Sequence, residues 1–468
     1  MRILPLLVAA IPSAALAAGA HLDPGFGTGG VAEVEWSAGS AAANAVGVDG
    51  SGRIVLGGFA AGPWGDDDFA LLRLLPDGTF DTTYATDAGG VRLVDFDLDG
   101  IGPNSDDVIN DLVVLDDGTA IALGDAHFGF GALNSQFALV RTDSSGVLDP
   151  GFGSLGLVHF NFQDFGNIDF AFRLALDSED RIVTTGMVNV DFAVNETLHF
   201  WAGLARLTPD GQFDATFASG GYFSVPFWSD PTIPPPRHSN FNYPLALAFD
   251  DSERILLGGS VRDPIPSDAV AYRVSADGAY DDTFGQYGHS LLGIDSGAIT
   301  ALHAMDGGRF IAAGEGGATY DAAELFFARF EADGTLDTTF GNAGIAELPT
   351  PGAFVAPDLI VPMIDGGWLA VAGGSLIEPY GVQRPPALAR IDANGQFDTD
   401  FGDNGIVTLD LADGRHFYAT RAAVQPDGKI VVAGAVQNPA PDATLHFAAM
   451  RVVLDPDNAL FADGFDGT

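Results

Sequence analysis

The 468-residue chain has no cysteine, a single lysine (Lys429), and ten glutamates against 53 aspartates. Without cysteine there can be no disulfide and no thiol nucleophile, so the fold must be held by its own core. Glutamate favours helices and aspartate favours turns and ligand positions, so the imbalance argues against a helical protein. Basic residues are also scarce: 20 against 63 acidic, a net charge of −43. With no basic stripe in any window, nucleic-acid phosphates and anionic membrane surfaces are excluded as partners. Long apolar runs are missing as well. Beyond the first twenty residues nothing approaches the roughly 20 needed to span a bilayer, so no membrane insertion is expected.

What is present points to a packed, turn-rich protein. There are 61 glycines, 47% hydrophobic residues and 35 phenylalanines, too apolar a composition for disorder. The N-terminus, MRILPLLVAAIPSAALAAGA, has one arginine, an apolar run and small residues at Ala15-Leu16-Ala17 and Ala18-Gly19-Ala20. Residues 1–20 therefore read as a secretory signal, and the product as exported, periplasmic or extracellular. No cysteine is available for a lipid anchor.

Self-similarity reorganises the rest. Arg73, Arg141, Arg206, Arg273, Arg329, Arg390 and Arg451 close seven similar runs, DFALLR to FAAMR, at spacings of 68, 65, 67, 56, 61 and 61 residues. Upstream of each lies a strand such as RIVLGG, RILLGG or KIVVAG. It ends in glycine in six units: Gly58, Gly186, Gly259, Gly314, Gly373 and Gly434. Downstream comes a turn like DGTLDTTFGNAG (Asp333 to Gly344) and a short strand such as VRLVDF. A further apolar run precedes each second strand across a tight turn. Four short antiparallel strands per unit, named A to D, repeated in series, are the pattern of propeller blades.

The ends complete each other. The last unit runs A, B, C and stops at FADGFDGT, whereas residues from His21 begin inside the pattern with a C–D turn (Asp23, Phe26, Gly27, Gly30) and a strand D. Sharing one blade between the termini closes a ring and removes free sheet edges. The expected fold is all-β, a seven-bladed β-propeller spanning 21–461 with a tail at 462–468, and a monomer is expected. Units such as QPDGKIVVAG, FAAMR and DGTLDTTFGNAGI resemble those of the delta-60 repeat family of bacterial exported β-propellers. The resemblance covers essentially the whole chain after residue 20 and implies the propeller fold; it implies little about activity.

Residues common to every unit belong to the scaffold, and function should break the symmetry. GFGTGG (Gly25 to Gly30) and GFGSLG (Gly151 to Gly156) match a dinucleotide fingerprint, but a strand follows where a helix is required, so they read as turns. The seven arginines stand beside Asp81, Asp149, Asp214, Asp281, Asp337 and Asp398 in six units, as a repeated Arg–carboxylate clamp would require. Arg53, Arg181, Arg254, Arg309 and Lys429 share the start of strand B.

Off the template are Arg92, Arg173, Arg237, Arg262, Arg384, Arg415 and Arg421. All but Arg92 fall in the B–C or D–A connections or in strand A. Those connections share one face and vary in length, which makes that face the candidate binding surface for an extracellular glycan, peptide or protein. Arg173 and Arg421 hold one position in strand A, facing either the central channel or the blade packing. Trp64, Phe128, Phe130, Trp228, His238, Tyr243, Tyr320, Tyr380, His416 and Phe417 are placed near the rim, where aromatics stack on sugars or grip peptides, or simply pack loops.

Asp95, Asp97, Asp99 and Asp106 fit an oxygen-rich calcium loop, with aspartate in place of the longer glutamate at position twelve; the other reading is a solvated D–A loop. Asp66, Asp67 and Asp68 lie in the connection that could face it. The rival class is a metal-dependent hydrolase or lactonase at the channel mouth. Its motifs are missing: there is no H-E-x-x-H or G-x-S-x-G, and only His303 falls on a strand A. Three or more converging carboxylates or histidines would favour it.

Overall fold

Both faces of every blade must be covered by its neighbours, so the strands read as nearly continuous apolar runs, such as Ile54 to Leu56 and Leu388 with Ala389, all buried. The computed structural model describes residues 19–63, 65–96, 106–127, 134–162, 168–191, 199–225, 241–262, 267–317, 324–348, 356–372, 385–411, 413–439 and 442–460. They form the seven-bladed propeller of four-stranded antiparallel blades that the repeats require. Strand A of blades 1 to 7 is Ala41–Val48, Val108–Val114, Asp169–Leu176, Phe241–Phe249, Ala298–Met305, Pro357–Pro362 and Phe417–Val424. Each pairs in order with its strands B, C and D, and one parallel bridge, Phe200 to Phe241, links blades 3 and 4. No helix among the described residues is long and apolar enough to cross a membrane.

The termini meet as expected. Blade 7 takes strands A to C from the C-terminal end and strand D, Val31–Val34, from the N-terminal end, with Val31 opposite Met450. Ala20–Leu22 adds a short fifth strand, with Ala20 opposite Leu454. In the other six blades the matching contact is a single bridge made by the blade's own C–D turn, such as Leu74 to Phe80.

The core is divided among the seven junctions between blades. Blades 7 and 1, for example, share Phe26, Ala43, Leu56, Val431 and Phe447. Blades 3 and 4 share Leu204, Phe217, Leu257 and Tyr272. Phe26, Tyr84, Phe152, Phe217, Phe284, Phe340 and Phe401, at one position of each C–D turn, are at most 1% exposed. Each such aromatic contributes on the order of 2–3 kcal/mol through burial.

Every strand A carries a bulge, at Asn44, Asn110, Phe172, Leu245, Thr300, Asp358 and Thr420. The bulge explains the strand-B glycine. It pushes a strand-A carbonyl over strand B, so that a Cβ at Gly58, Gly124, Gly186, Gly259, Gly314 or Gly434 would lie 1.9–2.0 Å from it. Blade 2 therefore follows the rule through Gly124, and the apparent exception in its sequence was a one-residue offset; Gly373 lies outside the described residues. Four bulged side chains also tie blades together. Asn44 donates to the Ile109 carbonyl at 3.0 Å, Asn110 to Ala171 at 2.9 Å, Thr300 to Pro357 at 2.6 Å and Thr420 to Ala43 at 2.8 Å.

Candidate functional site

The seven template arginines prove to be joints between blades. Each pairs with the aspartate of its own C–D turn: Arg73 with Asp81 at 2.8 Å, Arg206 with Asp214 at 2.9 Å, Arg273 with Asp281 at 2.7 Å. The seventh aspartate is Asp23, held by Arg451 at 2.9 Å, so a carboxylate from the N-terminal segment closes the series. Each guanidinium also reaches into the next blade. Arg206 donates to the Ala276 carbonyl at 2.5 Å and Arg141 to Pro209 at 2.6 Å, and Arg451 returns to Pro76 in blade 1. Five of them lie 4.6–4.9 Å above the buried turn aromatic. Against the upward push of burial, hydrogen bonds from Thr216 and the charge of Arg206 hold Asp214 below the usual carboxylate range. The strand-B bases act within a blade, bracing the A–B turn: Arg53, Arg181 and Arg254 pair with Asp49, Asp177 and Asp250 at 2.5–2.7 Å.

The off-template charges of strand A behave differently. Arg173 of blade 3 and Arg421 of blade 7 follow equivalent bulges and converge on one carboxylate, Asp358 of blade 6, at 3.6 and 2.5 Å. Blades 3 and 6 lie on opposite sides of the ring, so the arginines face the central channel and not the packing between blades. Arg421 also approaches Asp111 of blade 2 at 3.9 Å and the carbonyls of Asn110 and Phe172 at 3.3 and 3.5 Å. Blades 1, 4 and 5 place Ala45, Ala246 and Ala301 at the position of Arg173.

The carboxylate oxygens of this quartet are engaged. Asp358 accepts from the Ala422 amide at 2.9 Å, and Asp111 from Leu174 at 2.8 Å and Leu112 at 3.1 Å. Burial lifts Asp111 to about 6 and Asp358 to about 7, with Arg173 pulling each back down. The guanidiniums keep donors in hand. Among the described residues Arg173 makes one hydrogen bond, to the Phe172 carbonyl at 3.2 Å, and the buried Nε of Arg421 makes none, lying 3.9 Å from Asp111. On the same strand A as Arg173, the half-buried rings of Phe170 and Phe172, with Tyr243 of the next strand A, pack on Ile168, Met187 and Phe200. Asp111, Asp358 and Phe172 escaped sequence reading because nothing local marks a bulge; its sign is the glycine opposite on strand B.

Other expected residues scatter. Trp64, Phe128, Trp228 and His238 lie outside the described residues, as do Asp97 and Asp99. Phe417, expected at the rim, is core, 5% exposed between blades 6 and 7, because strand A begins with it. His303 packs edge-on against Trp368, ring centroids 5.2 Å apart, and burial pushes its imidazole down.

Asp66 to Asp68 do face the D–A connection. The Asp67 amide donates to Asp106 at 3.1 Å and its carbonyl accepts from Asp107 at 2.6 Å. Asp107 is fully buried and accepts from the Phe96 and His127 amides, each at 2.9 Å. Among the described residues no three His, Asp or Glu side chains are grouped so as to hold a metal ion.

Comparison with known proteins adds the following. The model of a family described as a domain of unknown function (DUF5122) beta-propeller matches residues 50–84, 202–217, 308–340 and 425–443. Three of those segments start at an A–B turn and one within a strand C, and three of the four run through repeat-defining positions of the C–D turn. No curated protein matches the sequence. Among solved structures, a protein of unknown function from Dyadobacter fermentans is similar over 91% of this chain and 100% of its own, at 15% identity and a TM-score of 0.42. An ulvan lyase, described as a new family of polysaccharide lyase, matches over 92% of this chain and 97% of its own, at 9% identity and 0.47. An α-L-arabinofuranosidase from Fusarium graminearum matches over 73% and 91%, at 12% identity and 0.36. Likeness at this level does not bear on activity.

Proposed function

We propose that the protein is an exported propeller of the delta-60 repeat type that binds an extracellular glycan over its central channel, on the face carrying the B–C and D–A connections. The observation that supports this reading is the convergence of Arg173 and Arg421 from distant blades with donors unspent. Guanidinium donors, together with the half-buried rings of Phe170 and Phe172 on the strand A of Arg173 and of Tyr243 on the next strand A, suit a ligand with hydroxyl acceptors and apolar ring faces. A neutral sugar fits better than a polyanion, which a net charge of −43 would repel at long range. Catalysis by Asp111 and Asp358 is disfavoured because their oxygens already accept main-chain hydrogens or face arginine.

The test is a glycan and peptide screen of the full chain, followed by Arg173→Gln. A neutral glycan should emerge, and the variant, compared at a temperature where urea and thermal unfolding show it fully folded, should bind it about tenfold or more weakly, the worth of one charge-assisted hydrogen bond. Selection of peptides alone, or glycan binding unaffected by the substitution, would refute the reading.

A further inference from the structure

The buried aromatic of a C–D turn is covered by a glycine of the following blade. A Cβ on Gly146, Gly211, Gly278, Gly334 or Gly395 would lie 2.8–3.0 Å from the ring of Tyr84, Phe152, Phe217, Phe284 or Phe340, and one on Gly78 would lie 3.0 Å from Phe26. All six glycines stand in the tight turn after a strand C with φ between +78° and +85°, a left-handed conformation that favours glycine.

Phe401 of blade 6 should be covered in the same way by the turn of blade 7, but that turn, Asp455-Pro456-Asp457-Asn458, has no glycine. Asn458 holds the place: its amide donates to the Asp455 carbonyl at 2.7 Å, as Gly78 does to Leu75 at 2.8 Å, and its side chain accepts from Arg390. The cover comes instead from Gly19. Its φ is +112°, and a Cβ there would fall 2.4 Å from Cδ2 of Phe401. The Gly19 amide donates to the Asp455 carboxylate at 2.7 Å, and its carbonyl accepts from the Asp455 amide at 2.9 Å. Ala20 follows, 1% exposed in the core between blades 6 and 7 and opposite Leu454 in the added strand. Gly19 and Ala20 thus belong to the ring as firmly as any template residue.

The secretory signal offers two places for its removal. Both Ala15-Leu16-Ala17 and Ala18-Gly19-Ala20 carry the small residues that a signal peptidase requires. A cut after Ala20 would discard the seventh glycine, uncover Phe401 and put the new α-amino group on His21, inside the strand that pairs with the last strand C. A cut after Ala17 spares all of these. Building on the export reading above, we propose that the signal is removed at the Ala17–Ala18 bond, so that the finished chain starts at Ala18 and keeps Gly19 and Ala20. Water adds across that amide, leaving a carboxylate on Ala17 and an amine on Ala18. The fold does not steer the peptidase; it determines which product can complete blade 7 and cover blade 6.

The experiment is export of the full chain from a bacterial host, with N-terminal sequencing and intact mass of the product, and thermal unfolding of purified chains starting at Ala18 and at His21. The exported product should begin at Ala18, and the chain starting at His21 should unfold about 1–3 °C lower. A product beginning at His21, or equal midpoints for the two chains, would overturn the inference while leaving export intact. A chain retained uncut in the cytoplasm would refute export itself, and the inference with it. Gly19→Ala in the chain starting at Ala18 isolates the glycine: it should lower the midpoint by a comparable amount, and an unchanged midpoint would count against the inference.

Discussion

Asp214, on the face of the A–B and C–D turns, sits between Thr216 and Arg206 and is held below its ordinary range. On the opposite face Asp107 is just as deeply buried, but among the described residues no base pairs with it, and burial first, then Asp95 and Asp68, lift it to about 8. The same residue type in the same fold is thus pushed in opposite directions. The first face repeats one answer seven times, because every blade needs the same joint to its neighbour. The second has no common answer, since its connections differ in every blade, and its carboxylates carry the cost that function would explain.

The strongest way to break this contrast is to remove one joint. Arg206 and Asp214 are 5% and 8% exposed, so Arg206→Met leaves a buried carboxylate with only the more distant Arg181, 3.7 Å away, and should cost about 3 kcal/mol in urea unfolding. An intermediate effect comes from pH. Asp81, Asp214, Asp281 and Asp337 of the C–D turns have lowered values, so their stabilisation is complete above their unfolded value near 4 and is lost only as pH falls further. Asp67, Asp68 and Asp107 are raised to about 6, 7 and 8, so their share is complete below 4 and is lost as pH rises through those values. With chelator present, the urea midpoint should therefore decline steadily from pH 5 to pH 8. A flat or rising profile would show that the second face is not strained. The smallest effect is expected at the most exposed joint: Arg141 and Asp149 are 25% and 31% exposed and 3.2 Å apart, so Arg141→Met should cost no more than about 1 kcal/mol. Equal losses for Arg141 and Arg206 would mean that the joints act through packing and not through charge.

The blades, the shared blade 7 and the Arg–Asp pairing were legible because each is repeated, and repetition separates scaffold from accident. The position shared by Arg173 and Arg421 could be read for the same reason. Their convergence on Asp358 could not. It depends on the ring bringing blades 3, 6 and 7 around one axis, and Asp358 lies in a proline-flanked strand, PDLIVP, that looks unlike the other strands A. The bulges were invisible for a related physical reason: an extra residue in a strand leaves no composition signal, and only the glycine demanded opposite it does. That omission also shifted blade 2 by one residue, setting Asp125 where Gly124 belongs. Asp125 turns out to serve blade 3, accepting from the Ala171 amide at 2.7 Å.

The pairing of Asp23 with Arg451 sets a condition on synthesis. The segment that supplies Asp23 and Phe26 leaves the ribosome early, and its partners on the last strand are made some 425 residues later, by the separation of 428 between the two. Until then blade 1 and the unfinished blade 7 each expose an uncovered flank, and a chain ended before Leu454 keeps both. Completion is therefore checked by geometry: only a full-length polypeptide can hide its own seams, and a shortened one offers two matching edges to the next copy it meets.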